Sequence, residues 1–147
     1  MNSERGMRNA DYMKSTRETE TASDELRTRT KAFALRVIRL TDALPDNGVG
    51  RVIKGQLLRC GTSVGANYRS AKRAKSTADF ISKMGTVEEE AGESMYWMEL
   101  IVEADVMKES LVAALYQEAD DILAMVVASI KTAKRTRNAE QGMRDES

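Results

Sequence analysis

The chain has 147 residues, 41% of them hydrophobic and 31% charged, with one Pro, one Cys and no His. That length suits a single domain with one core, and the balance favours helices with an apolar stripe over a disordered or membrane-spanning chain. Apolar residues never run together for the ~18–20 positions needed to cross a bilayer, and the lack of His removes the ordinary nucleophilic triads.

Residues 1–15 contain no apolar core of a secretory signal. Lone Cys60 cannot form an internal disulfide. Both features point to the cytoplasm. The formal charge is zero but uneven: residues 44–78 carry seven Lys/Arg against Asp46, whereas residues 79–121 carry two Lys against twelve Asp/Glu. Such a dipolar chain presents a basic face to a polyanion, packs its two charged segments together, or pairs with copies of itself.

Residues 1–23 are polar and aperiodic, which predicts a flexible tail. From Asp24, Leu26, Thr30, Phe33, Val37, Leu40 and Leu44 recur at steps of three and four, predicting an amphipathic helix over 24–43. LPDNGVG (44–50) then supplies turn chemistry. A second helix is expected over 50–72, with Ile53, Leu57, Cys60, Val64 and Tyr68 as its stripe. Gly61 and Gly65 each cost it about 1 kcal/mol relative to Ala, which predicts close approach of a neighbouring backbone. The alternative is a break at GTSVG into two short helices.

Ser76 or Thr77 can cap the next helix, with Asp79 in its first turn. That helix is predicted over 77–107, on the stripe Phe80, Met84, Val87, Ala91, Met95, Met98 and Val102. A short connection at 108–110 makes the fourth helix antiparallel to the third. Capped by Ser110, it is expected over 111–135, on Val112, Leu115, Ala119, Ile122, Val126, Ile130 and Ala133. Residues 136–147 read as a flexible C-terminal tail. The fold predicted for residues 24–135 is an all-α, antiparallel, up-down-up-down four-helix bundle.

Cys60 lies on the apolar arc of the second helix and reads as a small core residue. Glu89, Glu90 and Glu93, with Glu118 and Asp121, match the EExxE…ExxD spacing of the all-helical, MazG-like nucleotide pyrophosphohydrolases, whose carboxylates hold Mg²⁺. Helical phase turns Glu89, Glu93, Glu118 and Asp121 away from the core stripes, however, which predicts a solvated acidic face. No catalytic residue, metal or cofactor is expected.

In the second helix, Arg51, Lys54, Arg59, Arg69, Lys72 and Arg73 share one arc, a stripe suited to a phosphate backbone. The competing reading pairs that stripe with the acidic third helix of its own or a neighbouring subunit. Leu58, inside the arc, points to partial cover by a partner. Tyr96 and Trp97 are adjacent and cannot share one stripe, so at least one of them lies at a helix edge or interface; the alternative, favoured for Tyr96, is that they close the end of the bundle.

The segment LRCGTSVGANYRSAKRAKSTADFISKMGTVEEEAGESMYWMELI (58–101) resembles the signature of the bacterial four-helix-bundle proteins first noticed in intervening sequences of 23S rRNA genes. With the LPDNG turn and EADDILAMVVASIK, the resemblance covers about residues 24–135. Ser70 stands where an acidic residue is common in that family, and Ser82 where a His is common. Gly92, Ser94 and Met95 interrupt the acidic run. The family is similar to the accessory variability protein of diversity-generating retroelements, a homopentameric barrel that binds nucleic acid and a reverse transcriptase through a basic surface. The resemblance therefore implies a homo-pentamer, RNA or DNA and a reverse transcriptase as partners, and phosphate contacts at Arg51, Lys54, Arg59, Arg69, Lys72 and Arg73. The leading expectation is a non-enzymatic, self-associating accessory factor that binds RNA. The alternatives are a protein-interaction module without nucleic acid and a Mg²⁺-dependent nucleotide hydrolase.

Overall fold

The computed structural model describes Ser23 and residues 25–146. They form four helices and, among the described residues, no strand: α1 over 25–42, α2 over Gly48–Lys72, α3 over Thr77–Glu103 and α4 over Glu109–Glu146. Apart from Ser23, the expected N-terminal tail lies outside the described residues.

α1 buries Leu26, Thr30, Phe33, Val37 and Thr41 on one face. The two threonines donate back to the carbonyls of Arg27 (3.2 Å) and Ile38 (3.0 Å), so neither buried hydroxyl is orphaned. In the turn that follows, Asn47 is the N-cap of α2, its side chain accepting from the Gly50 N–H at 2.8 Å. A Cβ on Gly50 would lie 1.9 Å from the Pro45 carbonyl oxygen, so this turn admits only glycine there. The Asn47 cap also starts α2 two residues earlier than periodicity suggested.

α2 runs unbroken through Gly61 and Gly65, which rules against the two-helix alternative. A Cβ on Gly61 would come within 2.8 Å of both Val37 methyls, and one on Gly65 within 3.4 Å of the Thr30 backbone. The helix thus tolerates both glycines because α1 lies against them. Farther along, the Tyr68 hydroxyl donates to the Ser23 carbonyl at 3.1 Å. The partner numbers fall from 37 to 30 to 23 as α2 advances, so α1 and α2 are antiparallel.

Ser76 caps α3, its hydroxyl accepting from the Asp79 N–H at 3.0 Å. The Asp79 carboxylate accepts from the Lys83 ammonium (2.9 Å) and the Lys75 N–H (3.2 Å), and these bonds hold its pKa below the ordinary 3.8. A lowered folded-state pKa stabilises above the carboxylate range and is lost as pH falls through it. Asp79→Asn is therefore expected to melt below the parent at pH 7. The two melting curves should converge in acid below 3.8, which thermal melts across pH will show.

α3 ends at Glu103, four residues short of the expected Met107. Asp105 takes a left-handed φ of 55°, the Val106 N–H returns to the Ile101 carbonyl (2.9 Å), and the Asp105 N–H returns to Val102 (3.1 Å). This is a Schellman stop built on Asp rather than Gly, hence invisible to a search for glycine. α4 starts at Glu109, which puts Ser110 inside the first turn rather than at the cap.

α4 also continues to Glu146, correcting the expected end at Arg135 and the tail over 136–147. Its last buried side chain is Ala133. The extension contains no Pro, and Arg137, Ala139, Glu140, Gln141, Met143 and Arg144 are good helix formers. Thr77 adds a tie by donating to Glu140 at 3.5 Å.

The core lies between the four helices, with Phe33, Leu57, Met84, Met98, Ile122 and Val126 fully buried. One cavity is lined by Ala43 and Pro45 together with Met107 and Ser110, which sets the α1–α2 and α3–α4 turns at one end of the bundle. A second, lined by Leu26, Tyr68, Phe80 and Thr132, gathers the start of α1, the end of α2, the start of α3 and the later part of α4 at the other end. The order is up-down-up-down. Among the described residues, no helix is long and apolar enough to cross a membrane.

Candidate nucleic-acid interface

The six predicted cations divide into two groups. Arg51 bonds Asp46 at 3.0 Å on the surface. Arg59 reaches across to α3, pairing with Glu90 at 3.3 Å and with Glu93. Hydrogen bonding to Glu93, ahead of any other cause, raises its pKa. Lys54, Arg69, Lys72 and Arg73 are exposed and have no ion-pair partner among the described residues.

From Lys54 to Arg73 the helical rise is about 28 Å. Three of these four cations crowd the C-terminal end of α2 and its cap, where the negative end of the helix dipole favours positive charge. Exposed Lys31 on α1 joins them: it lines a groove of about 210 Å³ with Thr62, Gly65, Ala66 and Arg69. Sequence reasoning missed Lys31 because it lies on another helix, among charges of both signs.

Leu58 is half-buried, and Leu35 and Ile38 of α1 are exposed. The contact of Val37 with Gly61 sets these two level with the Leu58–Thr62 turn.

The acidic motif is split between two arginines. Glu89 is exposed, whereas Glu90 and Glu93 are held by Arg59. On α4, Glu118 accepts both Nε (3.1 Å) and Nη2 (2.5 Å) of Arg29, while Asp121 lies 3.5 Å from the same guanidinium. The Glu118 hydrogen bond is the main cause holding Arg29 above its usual pKa. The expectation of a wholly solvated face needs correction, because Glu90 and Glu118 are each only 17% exposed at the side chain. Their phase was nevertheless legible, since the two halves turn to different neighbours, α2 and α1. Among the described residues, no group of His, Cys, Asp and Glu is placed to hold a metal ion.

Cys60 is fully buried, its sulfur 3.4 Å from the Ser94 hydroxyl oxygen, and burial pushes its pKa up. A raised thiol pKa opposes thiolate chemistry. Tyr96 is exposed and Trp97 half-buried, their rings meeting edge-on at 5.4 Å.

These features define a helical bundle with a basic flank on α2 and an acidic flank on α3 and α4. Residues 14–128 match the model of the family described as 23S rRNA-intervening sequence protein, and the chain belongs to that family. Its fold is similar to the crystal structure of a protein of unknown function from the S23 ribosomal protein family of Bacteroides thetaiotaomicron VPI-5482. The two chains share 31% identity and a TM-score of 0.71, over 75% of this chain and 98% of the other. No curated protein matches the chain.

Proposed function

We propose that this protein is a non-enzymatic, self-associating accessory factor of the cytoplasm that binds nucleic acid, RNA foremost, along the outer face of α2. The observation that carries this reading is the set of exposed cations Lys54, Arg69, Lys72 and Arg73, which have no acidic partner among the described residues. A phosphate backbone supplies the missing anions and releases its own counterions. With four such contacts, log K falls against log salt with a slope of about −3 to −4. Arg51 and Arg59 contribute less, because each must first leave a carboxylate.

A salt titration of binding to a structured RNA, read by fluorescence anisotropy, tests this. Arg69→Glu with Arg73→Glu is expected to weaken binding by about tenfold or more and to flatten the salt slope. No binding at low ionic strength, or binding unchanged by the double substitution, refutes the proposal.

A second reading rests on exposed Leu35 and Ile38 beside the basic arc. Here the α1–α2 face packs against a neighbouring subunit or a partner such as a reverse transcriptase, and the resemblance implies a pentamer. Light scattering in rising salt then shows the assembly itself dissociating. The hydrolase reading gains no support, since both halves of its motif are engaged by arginines.

A further inference from the structure

Between Met84 and Ile130 the chain carries eleven Asp/Glu and one cation, Lys108. Four of those carboxylates are taken by Arg29 and Arg59, leaving the others without an ion-pair partner among the described residues. Three of the latter, Glu99, Glu103 and Glu109, rim a groove of about 400 Å³ between the C-terminal half of α3 and the start of α4. Its floor is apolar: Met98 and Val112 are fully buried, with half-buried Val102 and Tyr116 above them. Burial, and then the nearby charges of Glu99, Asp120 and Glu103, raise the pKa of Tyr116.

We infer that this α3–α4 groove docks a basic amphipathic helix of a partner protein, with apolar side chains on the floor and Lys/Arg against Glu99, Glu103 and Glu109. A groove between two packed helices accepts the ridge of a third. The acidic rim selects cationic flanks, and like-charged rims repel an acidic competitor. An anion-binding use, by contrast, is barred here by charge. The inference does not rest on RNA binding, which uses the far side of α2.

The test uses the full chain and a labelled synthetic amphipathic helix of leucine and lysine, with a leucine–glutamate helix as its counterpart. Anisotropy is expected to show binding of the basic helix alone. Glu99→Lys with Glu103→Lys should weaken it by about tenfold or more. Glu89→Lys, exposed about 15 Å farther back along α3 from Glu99, should change it by less than about twofold, and neither change should alter RNA binding. Equal loss in both variants would reduce the effect to net charge and overturn the inference, as would failure of the basic helix to bind. Dissociation of a self-assembled form by the peptide, seen by light scattering, would make a second copy the occupant and overturn it equally.

Discussion

Gly61→Val is expected to destabilise the protein by about 3 kcal/mol, read as a lowered midpoint in urea unfolding. Even a methyl at residue 61 meets both Val37 methyls at 2.8 Å, so an isopropyl group must separate α1 from α2. Helix propensity works the other way, since replacing a mid-helix Gly gains a few tenths of a kcal/mol. Overpacking wins because Val37 is fully buried and cannot swing aside. Two comparisons isolate the cause. Gly55→Val, with open space around its Cβ, should be neutral or mildly stabilising. Val37→Ala combined with Gly61→Val should be more stable than the two single losses sum to. A Gly61→Val protein as stable as the parent would show that α1 does not rest on α2 at this point.

Arg29→Met has a comparable expected cost, about 2–3 kcal/mol. The guanidinium grips Glu118 through two nitrogens, and Glu118 is only 17% exposed. Removing Arg29 leaves that carboxylate half-shielded without a counter-charge, which is worse than never having had the pair. Adding Glu118→Gln should therefore recover much of the loss, a non-additivity visible in a double-mutant cycle by thermal or urea unfolding. Strict additivity of the two substitutions would mean that the bond between α1 and α4 contributes nothing of its own.

The same residues show what the sequence made legible. The stripe of α4, from Val112 to Ala133, is buried as its spacing predicts, because a long helix with one apolar face has one way to pack. Gly61 and Gly65 announced a close helix crossing by their cost alone. The stripe of α3 was read slightly out of phase: Ser94 and Ile101 are fully buried, whereas Met95 and Val102 are half-buried. Ser94 escapes a search for apolar residues because its hydroxyl is satisfied inside the helix, donating to the Glu90 carbonyl at 2.8 Å. The end of α3 was missed because Asp105, not a glycine, adopts the left-handed turn.

At the candidate interface, sequence placed the cations but could not sort them. Which arginines are spent on carboxylates depends on helices that are remote along the chain. Arg59 looked identical to Arg69 until α3 brought Glu90 and Glu93 beside it. Arg29 drew no notice at all, being one of several basic residues in a mixed-charge helix, yet it fixes the orientation of two acids in α4.

The one tryptophan gives the molecule an optical consequence. Trp97 is half-buried on α3, its indole nitrogen is shielded without an acceptor among the described residues, and the Tyr96 ring stands 5.4 Å away. Emission excited through Tyr96 passes to Trp97 at that separation, so intrinsic fluorescence reports one known place rather than an average. That place lies on α3, remote from Arg69 and Arg73 at the other end of the bundle. Unfolding of the core against which Trp97 packs therefore shifts the spectrum, while a ligand lying along the end of α2 leaves its colour nearly unchanged.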